Sequence, residues 1–234
     1  MIWLDHTMLV RRLAGLTRRI AARTLPWTER HPGRHLGRLG NVVLFAGEWL
    51  RGPAAVGAIC SSSRWLAGEI ARRVPAGEGL VVELGAGTGM VTEALLARGV
   101  SRNRLIVVER SEAFVGHLRR RFPGVTVICG DAAQLGSLVP EALRIDALVS
   151  SLPLRSLPLA ERRLIIEQWE RALDPGGVLI QFTYDLRPQA RTCSCDHAFE
   201  VYDSRIVWAN LPPARVLLAR RRAPVAALAG AAPP

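Results

Sequence analysis

The sequence predicts an α/β fold with a mostly parallel sheet of seven strands and helices on both faces. From residue 80 onward, short apolar runs alternate with helical stretches, which is typical of parallel strands joined by right-handed crossovers. This alternation stops near the C-terminus. There Ser204–Trp208 and Ala214–Ala219 are strand-like, and the segment between them, which contains Asn210–Pro213, leaves no room for a helix. These two runs must form a hairpin, so one of them runs antiparallel to the sheet.

The remaining elements are predicted from the period of the apolar residues. The other five strands are predicted at Leu80–Leu84, Leu105–Glu109, Val125–Ile128, Ile145–Val149 and Val178–Thr183. Helices are predicted at 41–51, 62–74, 88–98, 111–121 and 159–173. We therefore expect one α/β domain over residues 41–223.

A basic amphipathic helix is predicted at residues 9–23, ahead of this domain. Its apolar stripe and its flanking arginines consist of Leu9, Leu13, Leu16 and Ile20, and of Arg11, Arg12, Arg18 and Arg19. Such a helix favours contact with an anionic membrane surface; the alternative is a helix that covers the core with its arginines in solvent. Residues 1–40 are thus interpreted as a membrane-binding helix and a linker, and residues 224–234, rich in Ala and Pro, as a disordered tail.

The net charge of +11 indicates an anionic partner, which can be a membrane, a nucleic acid or a phosphorylated substrate. All of the positive side chains are arginine. Residues 1–40 hold eight of them against Asp5 and Glu29, and a second basic cluster comprises Arg215 and Arg220–Arg222.

The cysteines predict neither a disulfide framework nor a metal site. Cys193 and Cys195 form a lone C-x-C with no matching His or Cys pair. Because no segment reaches about 18 uninterrupted apolar residues, no membrane span is predicted. We expect a protein of the reducing cytoplasm.

A glycine-rich loop follows the first strand of the sheet, in Glu83-Leu84-Gly85-Ala86-Gly87-Thr88-Gly89. A dinucleotide-binding loop is excluded because Met90 stands where a third glycine or alanine is required, and a P-loop is excluded because the chain has no lysine. Glu109 ends the second strand and Asp131 follows the third. The three features therefore lie at the carboxyl edge of successive strands, where open α/β sheets bind ligands.

The acidic residue followed by G-x-G-x-G resembles the first motif of the class I S-adenosylmethionine-dependent methyltransferases. This resemblance implies a Rossmann-like fold with an antiparallel seventh strand and S-adenosylmethionine as cofactor. It also implies that Glu109 accepts the ribose hydroxyls and that Asp131 lies against the adenine amino group. The expected cofactor-binding residues are Ser61, Glu83, Gly85, Ala86, Gly87, Thr88, Gly89, Glu109, Arg110, Asp131, Ala132 and Ser150.

Residues 41–220 resemble the bacterial phospholipid N-methyltransferases. The matching segments are Ala58–Ser63, Glu83–Gly89, Ser151–Leu154, Gln181–Tyr184 and Asn210–Ala214. The chain departs from that family at Ser61, where proline is expected. The resemblance implies methylation of the amine of phosphatidylethanolamine and of its mono- and dimethyl forms, with acceptor contacts from Ser151, Leu152, Pro153, Leu154, Phe182 and Tyr184.

For the reaction, we expect a neutral amine to attack the sulfonium methyl in line. The backbone carbonyl of Ser151 and the hydroxyl of Tyr184 are candidates to hold the amine nitrogen, and Asp185 or Glu48 to receive its proton. Phe182 and Tyr184 can equally be packing residues at a strand end.

Three alternatives stay open from the sequence. The first is methylation of ornithine lipid or another amino-lipid. The second is an RNA or DNA adenine N6-methyltransferase, suggested by the charge; Ser151 and Leu154 count against it, since they replace the amide and the aromatic ring that such enzymes place on a flipped base. The third is a binding module without turnover. We favour a monomeric enzyme held peripherally on the cytoplasmic face of the inner membrane.

Overall fold

The computed structural model describes residues 62–139, 143–187 and 198–222. Several predicted features lie outside the described residues: the amphipathic helix at 9–23 with its linker, the helix at 41–51, Glu48, Ser61, Cys193, Cys195 and the tail at 224–234.

The described chain alternates helices with strands. The helices are α1 (Arg64–Arg73), α2 (Met90–Ala97), α3 (Glu112–Arg121), α4 (Leu135–Leu138) and α5 (Leu159–Ala172). The strands are β1 (Leu80–Leu84), β2 (Leu105–Glu109), β3 (Thr126–Cys129), β4 (Ile145–Ser150), β5 (Leu173–Thr183), β6 (Phe199–Val207) and β7 (Ala214–Arg221). Short 3-10 turns at Ala132–Gln134 and Leu154–Ser156 were not predicted.

The central strands form because their sequences are almost continuously branched and apolar. Every residue of β1 and β2 is buried, as expected for strands that are covered on both faces. All five predicted runs are strands. β5 begins at Leu173 instead of Val178 because Leu173 already pairs with Ile145, ahead of an irregularity in the register.

The seven strands lie in the order β3-β2-β1-β4-β5-β7-β6. β1 to β5 pair in parallel, and β7 runs antiparallel to both β5 and β6. The predicted seven-stranded sheet with an antiparallel last strand is confirmed. The strand order reverses between β1 and β4, and an open sheet of this kind has its ligand crevice beyond the carboxyl ends at that point.

β6 differs most from its prediction, since it begins at Phe199 rather than at Ser204 and ends before Trp208. It is the edge strand of the sheet, and most of its residues are exposed or half-buried. Because an edge strand is not covered on both faces, it lacks the continuous apolar run by which the central strands were recognised.

Helices cover both faces of the sheet, as predicted. α4 and α5 pack on one face through Leu135, Ile165 and Trp169. α1, α2 and α3 pack on the other through Ile70, Leu95 and Leu118. Within the described residues, no helix combines the length and the apolar character needed to cross a bilayer.

The start of α1 is fixed to the turn between β6 and β7. Ser63 caps the helix, and its hydroxyl accepts a hydrogen bond from the Leu66 amide at 3.2 Å. The Ser63 amide donates to Asn210 Oδ1 at 3.0 Å, while Asn210 Nδ2 donates to the Pro212 carbonyl at 2.7 Å. The Asn210–Pro213 segment thereby holds a distant helix end in place.

Candidate active site

The three glycines of the loop after β1 all have positive φ, at 74°, 54° and 84° for Gly85, Gly87 and Gly89. A Cβ on Gly85 would lie 2.8 Å from the Leu152 side chain, and one on Gly89 would lie 2.5 Å from the Phe122 ring. A Cβ on Gly87 would meet nothing within 4 Å. Gly85 and Gly89 therefore serve close packing, whereas Gly87 faces open space that a ligand can enter.

Glu109 joins this loop to β2. Its Oε2 accepts a hydrogen bond from the Gly87 amide at 3.0 Å, and its Oε1 accepts one from the Ser111 amide at 2.9 Å. Each carboxylate oxygen has a second lone pair, so the side chain retains acceptor capacity for the two hydroxyls of a ribose.

The loops after β1 to β4 are held side by side by backbone hydrogen bonds. The Gly85 amide donates to the Val108 carbonyl, the Gly130 amide to the Glu109 carbonyl and the Ser151 amide to the Leu84 carbonyl, at 2.9, 3.0 and 2.9 Å. Asp131 follows Gly130, and its Oδ1 accepts from the Ala133 amide at 2.8 Å. The predicted cofactor residues of these four loops thus meet at one edge of the sheet.

Glu83 has surroundings that the sequence did not indicate. Its carboxyl group is fully buried between β1 and α2, where Oε2 accepts a hydrogen bond from the Thr92 hydroxyl at 2.7 Å. Oε1 is buried without a hydrogen-bond partner. Burial raises the pKa of Glu83 to about 7; the Thr92 hydroxyl opposes this and the charge of Glu109 adds to it.

The remaining residues predicted for the cofactor lie around the same edge. Ala132 and Ser150 are buried, Ala86 is half-buried, and Thr88 and Arg110 are exposed. Within the described ranges no group of three or more His, Cys, Asp or Glu side chains is placed to hold a metal ion. The open space at Gly87 and the acceptor capacity of the Glu109 carboxylate fit an adenosyl group, whose ribose carries hydroxyl donors.

The loop after β4 forms the neighbouring part of the edge. Gln181 Nε2 donates to the Leu152 carbonyl at 3.2 Å, and the Leu152 amide donates to Ser150 Oγ at 3.3 Å. Leu154 is buried, while Ser151 and Pro153 are half-buried. Gln181 is a positioning residue that the sequence shows only as a polar side chain within an apolar strand.

Phe182 and Tyr184 lie at the end of β5 with their rings edge to face, 5.6 Å apart and 78° between planes. Both are half-buried against the apolar cluster on the α1 side of the sheet. They therefore pack on the sheet at its carboxyl edge, and their predicted contact with the acceptor stays a prediction.

Asp185 is a weaker base than its predicted role as a proton acceptor requires. It is paired with both Arg187 and Arg155. Hydrogen bonds from the side chain and the backbone of Arg187, together with that from Arg155, hold the pKa of the carboxyl well below its usual range. The other predicted acceptor, Glu48, lies outside the described residues.

Comparison with known proteins agrees with this geometry. A family model for a methyltransferase domain matches residues 81–177. An ornithine lipid N-methyltransferase of Singulisphaera acidiphila is 33% identical over 146 residues, which cover 60% of this chain and 76% of that protein.

Solved structures share the fold at low sequence identity. A TehB-like S-adenosylmethionine-dependent methyltransferase from Corynebacterium glutamicum has a TM-score of 0.53 at 14% identity, covering 78% of this chain and 99% of that one. The tRNA methyltransferase TrmK of B. subtilis has a TM-score of 0.51 at 18% identity, covering 73% and 70%. The predicted class I methyltransferase fold and its cofactor, S-adenosylmethionine, are confirmed.

Gly87→Ala should weaken binding of S-adenosylmethionine by about tenfold or more, because the methyl group would enter the open space beside Glu109. Gly99→Ala is the matched control, since Gly99 also has positive φ, at 98°, and open space around its Cβ but lies in the turn after α2. Calorimetric titration measures the affinities, and thermal unfolding checks that both variants fold. Equal affinities of the two variants would contradict the assignment of Gly87 to the cofactor crevice.

Glu83 should make the free energy of unfolding depend on pH. The unfolded chain releases this proton near the ordinary pKa of 4.5, whereas the folded protein keeps it up to a pKa of about 7. Stability contributed by the protonated group is therefore lost as the pH rises from 4.5 through 7, by about 3 kcal/mol in total.

Glu83→Gln removes this titration. Relative to the wild type, its free energy of urea unfolding should be higher at pH 8 than at pH 5 by about 2 kcal/mol, measured without cofactor; this is less than the total because the unfolded chain is already largely deprotonated at pH 5. The same difference between variant and wild type at both pH values would show that Glu83 is not protonated in the folded state.

Proposed function

The chain belongs to the class I S-adenosylmethionine-dependent methyltransferases, and on that premise we propose that it methylates the amine of a membrane amino-lipid. The observation that carries the proposal is the similarity to an ornithine lipid N-methyltransferase across most of that relative's length. Phosphatidylethanolamine, suggested by the segments shared with phospholipid N-methyltransferases, and ornithine lipid are the two acceptors proposed.

The loop after β4 supports a lipid amine over a nucleobase. Leu154 occupies the position where adenine methyltransferases carry the aromatic ring that stacks on a flipped base, and its side chain is buried in the core. Ser151 supplies no side-chain amide. This arrangement suits a small aliphatic amine, held by the Ser151 backbone carbonyl and the Tyr184 hydroxyl.

The cofactor supplies an activated methyl group with a good leaving group, so the protein has mainly to align and desolvate the reacting atoms. Gln181 fixes the Leu152 carbonyl and with it the loop that faces the acceptor. The amine must be neutral when it attacks, but Asp185 is too weak a base to take its proton. We therefore propose that this proton leaves to water.

Contact with the bilayer is proposed through an aromatic patch, formed by Trp65, Trp208 and Leu211. These side chains are 53%, 70% and 82% exposed. Trp65 lies in the first turn of α1, and the other two lie in the β6–β7 turn, which the Ser63–Asn210 hydrogen bond joins to α1. Exposed tryptophans next to arginines such as Arg64, whose guanidinium lies 4.8 Å from the Trp65 ring centre, suit an anionic membrane interface.

The patch lies at the functional edge of the sheet. β6 is parallel to β5, so the turn after β6 is at the carboxyl edge, as is the crevice. A protein resting on the patch would bring the crevice to the lipid headgroups. Together with the predicted helix at 9–23, this supports peripheral association with the inner membrane from the cytoplasm.

Incubation of the full chain with methyl-labelled S-adenosylmethionine should transfer label to phosphatidylethanolamine or ornithine lipid in vesicles and none to RNA. Glu109→Ala should abolish transfer, whereas Glu112→Ala, on an exposed glutamate at the start of α3, should retain it. Chromatography of the extracted lipids resolves the methylated products. Label in RNA but not in lipid would replace this proposal with the nucleic-acid alternative.

The double substitution Trp208→Ser and Leu211→Ser should lower the partition of the full chain onto vesicles with anionic lipid by about tenfold, because the patch would lose its apolar area. Leu164→Ser is the control, since Leu164 is 55% exposed but lies on α5, on the opposite face of the sheet from α1. Sedimentation with the vesicles measures the bound fraction. If the wild type, the double variant and Leu164→Ser all sediment with the vesicles to the same extent, the aromatic patch does not contact the bilayer.

A further inference from the structure

Arg215 is a buried arginine at the carboxyl edge of the sheet, with only 5% of its surface exposed. It is the second residue of β7 and pairs with Thr183, the last residue of β5. In the sequence it belongs to a basic cluster with Arg220–Arg222. The structure separates it from them, because β7 carries the other three to the opposite edge.

Most of the hydrogen-bonding capacity of Arg215 is unused. Nη2 donates to the Leu186 carbonyl at 2.7 Å. Nε and Nη1, which carry three of the five N–H groups, are buried with no hydrogen-bond partner. None of the ion pairs in the described part of the chain includes Arg215. A buried guanidinium left in this state is costly, and an anion that occupied the site would remove the cost.

The neighbouring charges are predominantly positive. Arg155 and Arg187 share the single carboxylate of Asp185, and Leu186, whose carbonyl Arg215 contacts, lies between Asp185 and Arg187. Arg215 therefore lies next to a cluster in which two guanidinium groups share one carboxylate. The site therefore has a net positive charge that favours an oxyanion.

The position of Arg215 relative to the cofactor crevice follows from the register. Leu84 of β1 pairs with Ser150 of β4, Ser150 with Gln181 of β5, and Gln181 with Leu217 of β7. At about 4.8 Å per strand, β7 lies roughly 14 Å from β1 along the edge. Arg215 is thus on the acceptor side of the loop after β4, away from the glycine loop.

We propose that the Arg215 guanidinium binds the oxyanion of the acceptor headgroup, a phosphate in phosphatidylethanolamine or a carboxylate in ornithine lipid. This inference rests on the proposed function. Charge-assisted hydrogen bonds from Nε and Nη1 orient the headgroup so that its amine points toward the methyl donor. The positive cluster also favours the neutral form of that amine, which is the form that attacks.

Arg215→Met tests this in detergent micelles that contain phosphatidylethanolamine. The KM for the lipid should rise by about tenfold or more, while the dissociation constant for S-adenosylmethionine and the thermal midpoint stay unchanged. Arg220→Met is the matched control, on an exposed arginine at the far end of the same strand, and should leave the KM for the lipid unchanged. An unchanged KM in a folded Arg215→Met variant overturns the proposal.

A second measurement needs only the wild type and decides the question if Arg215→Met fails to fold. Phosphatidylethanolamine, ornithine lipid and oleylamine, an amine without an oxyanion, are compared as acceptors. The kcat/KM for oleylamine should be lower than that for the better of the two lipids by about tenfold or more. The comparison of phosphatidylethanolamine with ornithine lipid shows whether a phosphate or a carboxylate is recognised. If oleylamine is methylated as efficiently as the better lipid, only the proposed role of Arg215 is overturned. If none of the three acceptors is methylated, the proposed function is overturned, and the role of Arg215 with it.

Discussion

The site depends on a ladder of backbone hydrogen bonds that continues past the ends of four neighbouring strands. Gly85, Gly130 and Ser151 each donate an amide hydrogen bond to the adjacent strand, so the loops that follow β1, β3 and β4 stay in register with the sheet. The Gly87 amide and the Glu109 carboxylate add a cross-connection. Because these hydrogen bonds fix each loop to a neighbouring strand, the side chains on the loops lie close together. No additional structural element is needed to bring them there.

The sequence was sufficient to predict the strands that are buried on both faces, because such strands contain a continuous apolar run. β1, β2 and β4 were predicted for that reason, and with them the positions of Glu83, Glu109 and Asp131 near the strand ends. The antiparallel hairpin was predicted on a different ground, because the segment between its two strands leaves no room for a helix. The sequence was insufficient to predict features that depend on where an element lies in the tertiary structure. The edge strand β6 has no such run, and the isolation of Arg215 from Arg220–Arg222 follows only from the length and direction of β7.

The exclusive use of arginine has structural consequences beyond net charge. Arg119 donates two hydrogen bonds to the Val127 carbonyl, Arg104 donates to that of Gly79 and Arg121 to that of Thr88. A planar guanidinium can satisfy carbonyls at strand and loop ends while it keeps other donors for a carboxylate, which a lysine ammonium does less well. Arg121 does both, through Thr88 and Glu93. Many of the arginines that make the surface basic therefore also stabilise the fold through hydrogen bonds.

The bond between Ser63 and Asn210 places the exposed tryptophans on the same rim of the sheet as the crevice. An enzyme seated on a bilayer by that rim would meet its acceptor by lateral diffusion in two dimensions. Its turnover would then follow the mole fraction of amino-lipid in the leaflet rather than the bulk concentration. A lipid methylated once would also remain within reach for the next transfer, so successive products could accumulate without the protein leaving the surface.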